Sequence, residues 1–169
     1  LSIRRQRQMC IRDSPFILIL IFLDQVTKWW IINYIMQPIK ILPITPFFNI
    51  VLTWNSGISF GIFSNQGSFS VIILSTLATL IVFFLAVWLM KAENKKLIIG
   101  LICIIGGAIG NIIDRVYHGA VIDFLDFHIK SYHWPAFNVA DSCIFIGATL
   151  IILDSLFPDK KEETNIKSI

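Results

Sequence analysis

Acidic side chains are concentrated where one hydrophobic stretch of this chain ends. Asp114, Asp123 and Asp126 lie in "DRVYHGAVIDFLDFH", directly after "LIIGLICIIGGAIGNII", and Asp141 lies in "FNVADS". Two carboxyl groups held close together can hydrolyse a peptide bond, because one activates water while the other protonates the carbonyl oxygen. These four aspartates therefore suggest acid–base hydrolysis, but their spacing does not show which pair meets.

Asn138 and Asp141 stand three residues apart, which is the spacing of a helix N-cap and a carboxylate at the third helical position. Capping alone would explain both residues. The positive end of a helix also favours an ionised carboxylate, so Asp141 is the expected ionised member of a pair. A second carboxyl group brought close to it would then hold the proton.

Other chemistries fit the sequence less well. His118, His128 and His133 could bind a metal together with nearby carboxylates, but their spacings match no H-E-x-x-H-type pattern. We expect no metal and no other cofactor.

The composition of the chain favours a membrane protein over a soluble one. Of its 169 residues, 56% are hydrophobic and 15% are charged, with a mean hydropathy of +0.75. A soluble domain carries roughly 25% charged residues. The net charge of +3 is small, so nucleic-acid binding has no support from composition.

Four segments are long and apolar enough to cross a bilayer, which needs about 20 residues. The predicted spans are residues 15–34, 68–90, 97–113 and 135–157. They form one membrane domain, 15–157, between an arginine-rich polar leader, 1–14, and a polar tail, 158–169. We exclude the leader from the fold prediction. Four such helices could not all be buried in a soluble globule of this length.

Lysines and arginines predict the orientation of the spans, because cytoplasmic loops carry an excess of them. Ten lie in the leader, in the 91–96 loop and in the tail, against three in the two other connections. Both termini are therefore expected in the cytoplasm. The outer connection 35–67 contains "FFNIVLTWNSGISFGIF", rich in β-branched and aromatic residues, which predicts a small β-rich region outside the membrane.

Polar residues within the spans follow helical spacing. Asp24 and Lys28 are four apart and can pair on one helix face, either as a structural ion pair or in support of a site. Asn111 and Arg115 are also four apart, on the face of Gly107, where Arg115 could bind a carboxylate or a lipid phosphate. Gly106 and Gly110 form a G-x-x-x-G that permits close helix contact.

Four motifs in order resemble those of the bacterial lipoprotein signal peptidase (signal peptidase II) family of membrane aspartyl proteases. They are "DQVTK" at 24–28, "NSGISFG" at 55–61, "GGAIGNIIDRVYHGAVIDF" at 106–124 and "FNVADS" at 137–142. The resemblance covers nearly all of 15–157. It implies a metal-independent protease that cuts a prolipoprotein just before its diacylglyceryl-modified cysteine.

The resemblance also implies roles for individual residues. Asp123 and Asp141 would be the catalytic pair, and Asp114 a structural partner of Arg115; Asp126 receives no role. The positions that would line or support the site are Asn55, Gly57, Asn111, Arg115, Asn138, Asp24 and Lys28.

The predicted protein is a multi-pass, monomeric enzyme of the bacterial inner membrane, with its active site at the outer face. Its expected partners are lipidated prolipoproteins and membrane lipid, without nucleic acid. A small transporter or a structural membrane subunit is the alternative. A transporter would place its charges near the midplane, however, whereas here they cluster at one end of the spans.

Overall fold

The computed structural model describes residues 3–57 and 67–157, and the side chains of 14–57 and 70–157. The predicted tail and the second half of "NSGISFG" lie outside these residues. The helices are α1 (Ile3–Trp30, continued by a π-helical turn at Ile31–Ile35), α2 (Gly67–Leu89), α3 (Lys95–His118) and α4 (Val139–Leu156). The strands are β1 (Leu42–Thr45), β2 (Phe48–Asn55), β3 (Val121–Ile129) and β4 (Tyr132–His133).

The prediction of four membrane-crossing helices is confirmed. The apolar segments are Ser14–Ile35, Ser70–Leu89, Lys95–His118 and Val139–Leu156. In the most hydrophobic 18-residue segment of α3, 50% of the residues are buried, against 6–17% in the corresponding segments of the other three helices. Since α3 contacts α1, α2 and α4, it is the central helix, and the others expose apolar side chains to lipid.

Three helix boundaries differ from the predicted spans. The first helix already begins at Ile3. The fourth helix begins only at Val139, because Phe137 is paired with β3 and its N donates to Leu125 O at 3.1 Å. The third helix continues beyond residue 113 to His118, since the side chain of Asp114 finds buried partners. It ends at Gly119, whose φ of +75° suits a left-handed C-cap.

Glycines of α3 bring its neighbours close on two sides. A Cβ at Gly106 would lie 3.0 Å from Leu20 Cβ, and one at Gly110 would lie 2.6 Å from Asp24 Oδ2, so the G-x-x-x-G faces α1. A Cβ at Gly107 would lie 2.3 Å from the backbone oxygen of Ala140 in α4. These contacts hold the ends of α1, α3 and α4 together.

A four-stranded antiparallel sheet, in the order β1-β2-β3-β4, lies at the end of the bundle where α1 and α3 end and α4 begins. The predicted β-rich region between the first two spans is the β1–β2 hairpin. Its main partner, β3, comes from the second outer connection, where no strand was expected. The aspartates of "VIDFLDFHI" interrupt its apolar pattern, but its β-branched and aromatic residues are typical of a strand.

The sheet is fixed to the helices by a small apolar core. Ile31 and Met36, which follow α1, pack with Phe124 of β3, and all three are at most 5% exposed. Because Phe124 directly follows Asp123, this core also fixes the position of the Asp123 carboxylate relative to the helices.

Candidate active site

Asp123 lies on β3, paired with Thr53 of β2, and is 1% exposed. Both of its carboxyl oxygens accept from asparagine amides: Oδ1 from Asn138 Nδ2 at 2.7 Å and Oδ2 from Asn55 Nδ2 at 2.8 Å. Burial raises the pKa of Asp123 to about 6; the charge of Asp141 also raises this pKa, while the two amide donors oppose the rise. Asp123 is therefore suited to carrying a proton.

Asp141 lies in the first turn of α4 and is partly exposed. The predicted cap is confirmed: Asn138 Oδ1 accepts from Asp141 N at 2.9 Å, and Asp141 Oδ2 accepts from Asn138 N at 3.3 Å. The other oxygen, Oδ1, accepts from Asn111 Nδ2 at 2.7 Å. A helix N-terminus and two donors favour the charged carboxylate.

Asn138 joins these two aspartates and is fully buried, at 0% exposure. Its Nδ2 donates to Asp123 Oδ1, while its Oδ1 accepts from the backbone of Asp141. The structure thus brings Asp123 and Asp141 onto one asparagine. Of the two other candidate aspartates, Asp114 pairs with Lys28 and Asp126 with His133, and neither accepts a hydrogen bond from Asn138.

Asp24 and Lys28 form the ion pair that their spacing predicts, with 2.7 Å between Nζ and Oδ2. Lys28 Nζ is also 2.7 Å from Asp114 Oδ2, and all three residues are at most 2% exposed. Asp24 Oδ1 accepts from Ala140 N at 2.9 Å, at the N-terminus of α4. This cluster ties α1 to both helices that carry site residues.

The expected pairing of Asp114 with Arg115 needs correction. Asp114 forms a salt bridge with Lys28 and accepts hydrogen bonds from Gln25 Nε2 at 2.9 Å and from Ile122 N at 3.2 Å. Adjacent residues on a helix point in different directions, about 100° apart. Asp114 consequently faces α1 and the start of β3, whereas Arg115 lies on the same face as Asn111.

Arg115 is half-buried, and most of its donors are unused among the described residues. Its one hydrogen bond runs from Nη1 to Asn111 O at 3.4 Å, and its Nε has no partner there. Asp141, Asp114 and Asp123 are the charges that act on its guanidinium. Arg115 thus offers N–H donors beside the two aspartates.

Gly57 supports the site through Asn55. Its N–H donates to Asn55 Oδ1 at 2.8 Å, which leaves the amide nitrogen of Asn55 directed at Asp123. The φ of +83° at Gly57 is one that other residues rarely adopt, and a Cβ there would lie 2.3 Å from Leu74 Cδ1.

Asp126 has a place in the structure that the sequence did not suggest. It is 6% exposed, accepts from Asn49 Nδ2 at 2.9 Å and lies 2.9 Å from His133 Nδ1. Burial acts to raise the pKa of Asp126, but the hydrogen bonds and the nearby histidines outweigh burial and lower it. His128 stacks on His133, with ring centroids 4.8 Å apart. This cluster holds β2, β3 and β4 together. In the sequence, the spacing of Asp126 and His128 two residues apart was the one indication that their side chains share a face of β3.

An apolar groove of about 450 Å³ opens beside Asp141. It is lined by Trp134, Phe137, Asp141, Ser142, Phe145 and Ile146. Phe145 and Ile146 are mostly exposed and lie one turn further along α4 than Asp141, so the groove leads from the candidate site towards the apolar part of the helix.

Within residues 3–57 and 67–157, no three His, Cys, Asp or Glu side chains are placed so that they could hold a metal ion. The stacked His128 and His133 have one carboxylate beside them, that of Asp126. The family model "Signal peptidase (SPase) II" matches residues 16–157.

The chain belongs to the signal peptidase II family. A lipoprotein signal peptidase of Rhodopseudomonas palustris (strain TIE-1) is 42% identical over 139 residues, which are 79% of this chain and 85% of that protein. Another, of Shewanella sp. (strain MR-4), is 41% identical over 159 residues, covering 91% of this chain and 92% of the relative. Membership in the signal peptidase II family therefore extends over all four spans and the sheet.

Two solved structures of bacterial membrane enzymes, determined by the in meso method, have the same fold as this signal peptidase II family member. One, at 2.3 Å, has a TM-score of 0.72 and 32% identity, and the match covers 86% of this chain and 87% of that one. The other, at 1.9 Å, has a TM-score of 0.73 and 32% identity, with coverage of 88% and 94%.

Proposed function

We propose that this protein is a membrane aspartyl endopeptidase that removes the signal peptide from diacylglyceryl-modified prolipoproteins by cutting before the lipidated cysteine. Membership in the signal peptidase II family supports the protease and its class of substrate. The observation that carries the aspartyl mechanism is the connection of Asp123 to Asp141 through Asn138.

The two aspartates have environments suited to different roles. Asp141, partly exposed and held by donors, takes a proton from water while the water oxygen attacks the scissile carbonyl carbon. Asp123, buried and with a raised pKa, gives its proton to the carbonyl oxygen. The tetrahedral diol then collapses: the C–N bond breaks, Asp141 returns its proton to the leaving amine, and Asp123 recovers one from the diol hydroxyl.

Neighbouring groups suit a lipidated peptide substrate. The free donors of Arg115 can bind a backbone carbonyl of the substrate beside the reacting bond. The apolar groove beside Asp141 can take an acyl chain.

The reaction requires the site to lie where peptide, lipid and water meet. Polar and charged side chains of the site gather where α1, α3 and α4 meet the sheet, and the spans lead away from it. We place this end at the outer face of the inner membrane, with both termini in the cytoplasm, on the basis of the basic-residue count. This arrangement also argues against the transporter alternative.

Topology reporters provide the test of this orientation. A reporter fused after Lys95, between the second and third spans, should report a cytoplasmic location. A reporter fused after Lys130 should report a location outside the cytoplasm. The excess of lysine and arginine at the first position is the physical reason. Activity of both fusions on the same side would contradict the proposed topology.

The raised pKa of Asp123 predicts a basic limit to turnover. The protonated form of this carboxyl group is lost as pH rises through about 6, so kcat/KM of the free enzyme should decline above that pH. Asn55 donates to Asp123 and thereby lowers its pKa. Asn55→Ala should accordingly move the basic limb to higher pH, and a shift to lower pH would contradict the assigned proton carrier.

The function itself is tested with purified protein in lipid, a diacylglyceryl-modified precursor and the same precursor without lipid. We expect cleavage before the modified cysteine in the presence of a strong chelator, and far slower cleavage of the unmodified precursor. Mass spectrometry of both products locates the cut. Absence of cleavage by the folded protein, or zinc-dependent activity, would overturn the proposal.

A further inference from the structure

The ammonium group of Lys28 contacts the side-chain amide of Asn111 in addition to two carboxylates. Its Nζ donates to Asp24 Oδ2 at 2.7 Å and to Asn111 Oδ1 at 3.2 Å, and it forms a salt bridge with Asp114 Oδ2 at 2.7 Å. The hydrogen bond to Asn111 is additional to the two ion pairs, and it joins the buried charge cluster to the residue that binds Asp141.

The side-chain oxygen of Asn111, Oδ1, accepts hydrogen bonds from two donors, Lys28 Nζ and Asn138 Nδ2, each at 3.2 Å. Reversing this amide would place its NH₂ group against an ammonium and against a second NH₂ group. The orientation with Nδ2 directed at Asp141 Oδ1, at 2.7 Å, is therefore the one that satisfies every group.

We propose that Lys28 is a positioning residue for Asp141, which acts by fixing the amide of Asn111. It does not touch the reacting atoms. Asp24 and Asp114 hold the ammonium in place, and the absence of a side chain at Gly110 lets Asp24 approach α3. This inference rests on the proposed function, since it assigns to Asp141 the activation of water.

Other charged groups also face Asp141. Asp123 of β3 and Arg115 of α3 interact with its charge, and Lys28 also acts on Asp123. An experiment on Lys28 must therefore leave Asp123 and Arg115 in place and separate the path through Asn111 from a general loss of charge.

The main variant is Asp24→Asn/Lys28→Met, which keeps the net charge of the cluster and avoids leaving two buried carboxylates without a cation. Lys28→Met alone is the second variant, measured on the folded fraction. Gln25→Met is the matched control, because Gln25 donates to Asp24 at 3.2 Å and to Asp114 at 2.9 Å but not to Asn111. Asn111→Ala removes the amide itself.

Without the amide donor, the carboxylate of Asp141 loses one of the contacts that hold it in position. We expect Asp24→Asn/Lys28→Met to lower kcat about tenfold and to leave KM within about twofold, because the reacting group is misplaced while the substrate still binds. Asn111→Ala should lower kcat in the same way, and combining it with the double change should add nothing. Gln25→Met should leave kcat unchanged.

The inference is overturned if folded Asp24→Asn/Lys28→Met protein, or folded Lys28→Met protein, keeps the parent kcat. It is also overturned if the losses of kcat in the Lys28 and Asn111 variants add, or if Gln25→Met gives the same loss. In each of these results the unmodified enzyme still cleaves the lipidated precursor, which distinguishes them from a failure of the proposed function.

Discussion

Asp123→Asn and Asp141→Asn should each lower kcat for a lipidated precursor by about 10²–10⁴-fold, the range of a lost general acid or base. Asparagine keeps the size of the side chain and much of its hydrogen bonding, but it can neither accept a proton from water nor donate one as an acid. Asparagine keeps one acceptor oxygen, so at each position one of the two N–H contacts remains and the other is lost. Circular dichroism must therefore show that the variants are folded. Single-turnover assays with excess enzyme separate the lower kcat from any loss of binding.

The double variant should be scarcely slower than either single variant, because residues that act as one unit lose the same step when either is removed. Asp126→Asn is the matched control on the same strand. Asparagine at position 126 keeps an acceptor oxygen for Asn49 Nδ2, so the effect of this change on turnover should be mild. Asp114→Asn should act through folding, as it weakens the buried contact with Lys28. Full activity of folded Asp123→Asn or Asp141→Asn protein would refute the mechanism.

Gly107→Ala should produce the second large effect, a loss of folded protein or of the aligned site. The added Cβ would meet the backbone oxygen of Ala140 at 2.3 Å, and a backbone atom of a packed helix cannot move aside as a side chain can. The first turn of α4, which carries Asp141, would have to shift. Such overpacking typically costs about 1–3 kcal/mol or more, so we expect a lower unfolding temperature together with lower kcat.

Gly106→Ala is the control for Gly107→Ala, one position away on the same helix. Its Cβ would meet Leu20 Cβ at 3.0 Å, a milder overlap that a small shift of α1 relieves. Thermal unfolding followed by circular dichroism in detergent, with turnover of the lipidated precursor, should rank Gly107→Ala as the more damaging change. Equal stability of the two variants would show that contact with Ala140 does not determine the position of α4.

Much of the architecture could be predicted from local patterns. Four apolar segments were sufficient to predict four spans, and spacing along one helix predicted the pairing of Asp24 with Lys28. The cap formed by Asn138 and Asp141 is also a local feature. In each case the deciding interaction lies within a few residues of chain.

Contacts between distant segments could not be predicted in the same way. The pairing of β2 with β3 joins residues nearly 70 positions apart, for example Asn55 Nδ2 with Asp123 Oδ2. Likewise, the partner of Asp114 is Lys28 of another helix and not the adjacent Arg115. Only the resemblance to a family selected Asp123 from four aspartates, because spacing carries no information about which strand meets which helix.

The position of Asn138 has a consequence for biosynthesis under the proposed mechanism. Its one side chain connects the strand of Asp123, the third helix through Asn111 and the first turn of α4. The last span must therefore insert, and the sheet must pack on it, before the two proposed catalytic aspartates come together. On this mechanism a nascent chain with three inserted spans is inactive, and a folded chain becomes inactive when its sheet detaches, even if all four spans stay in the membrane.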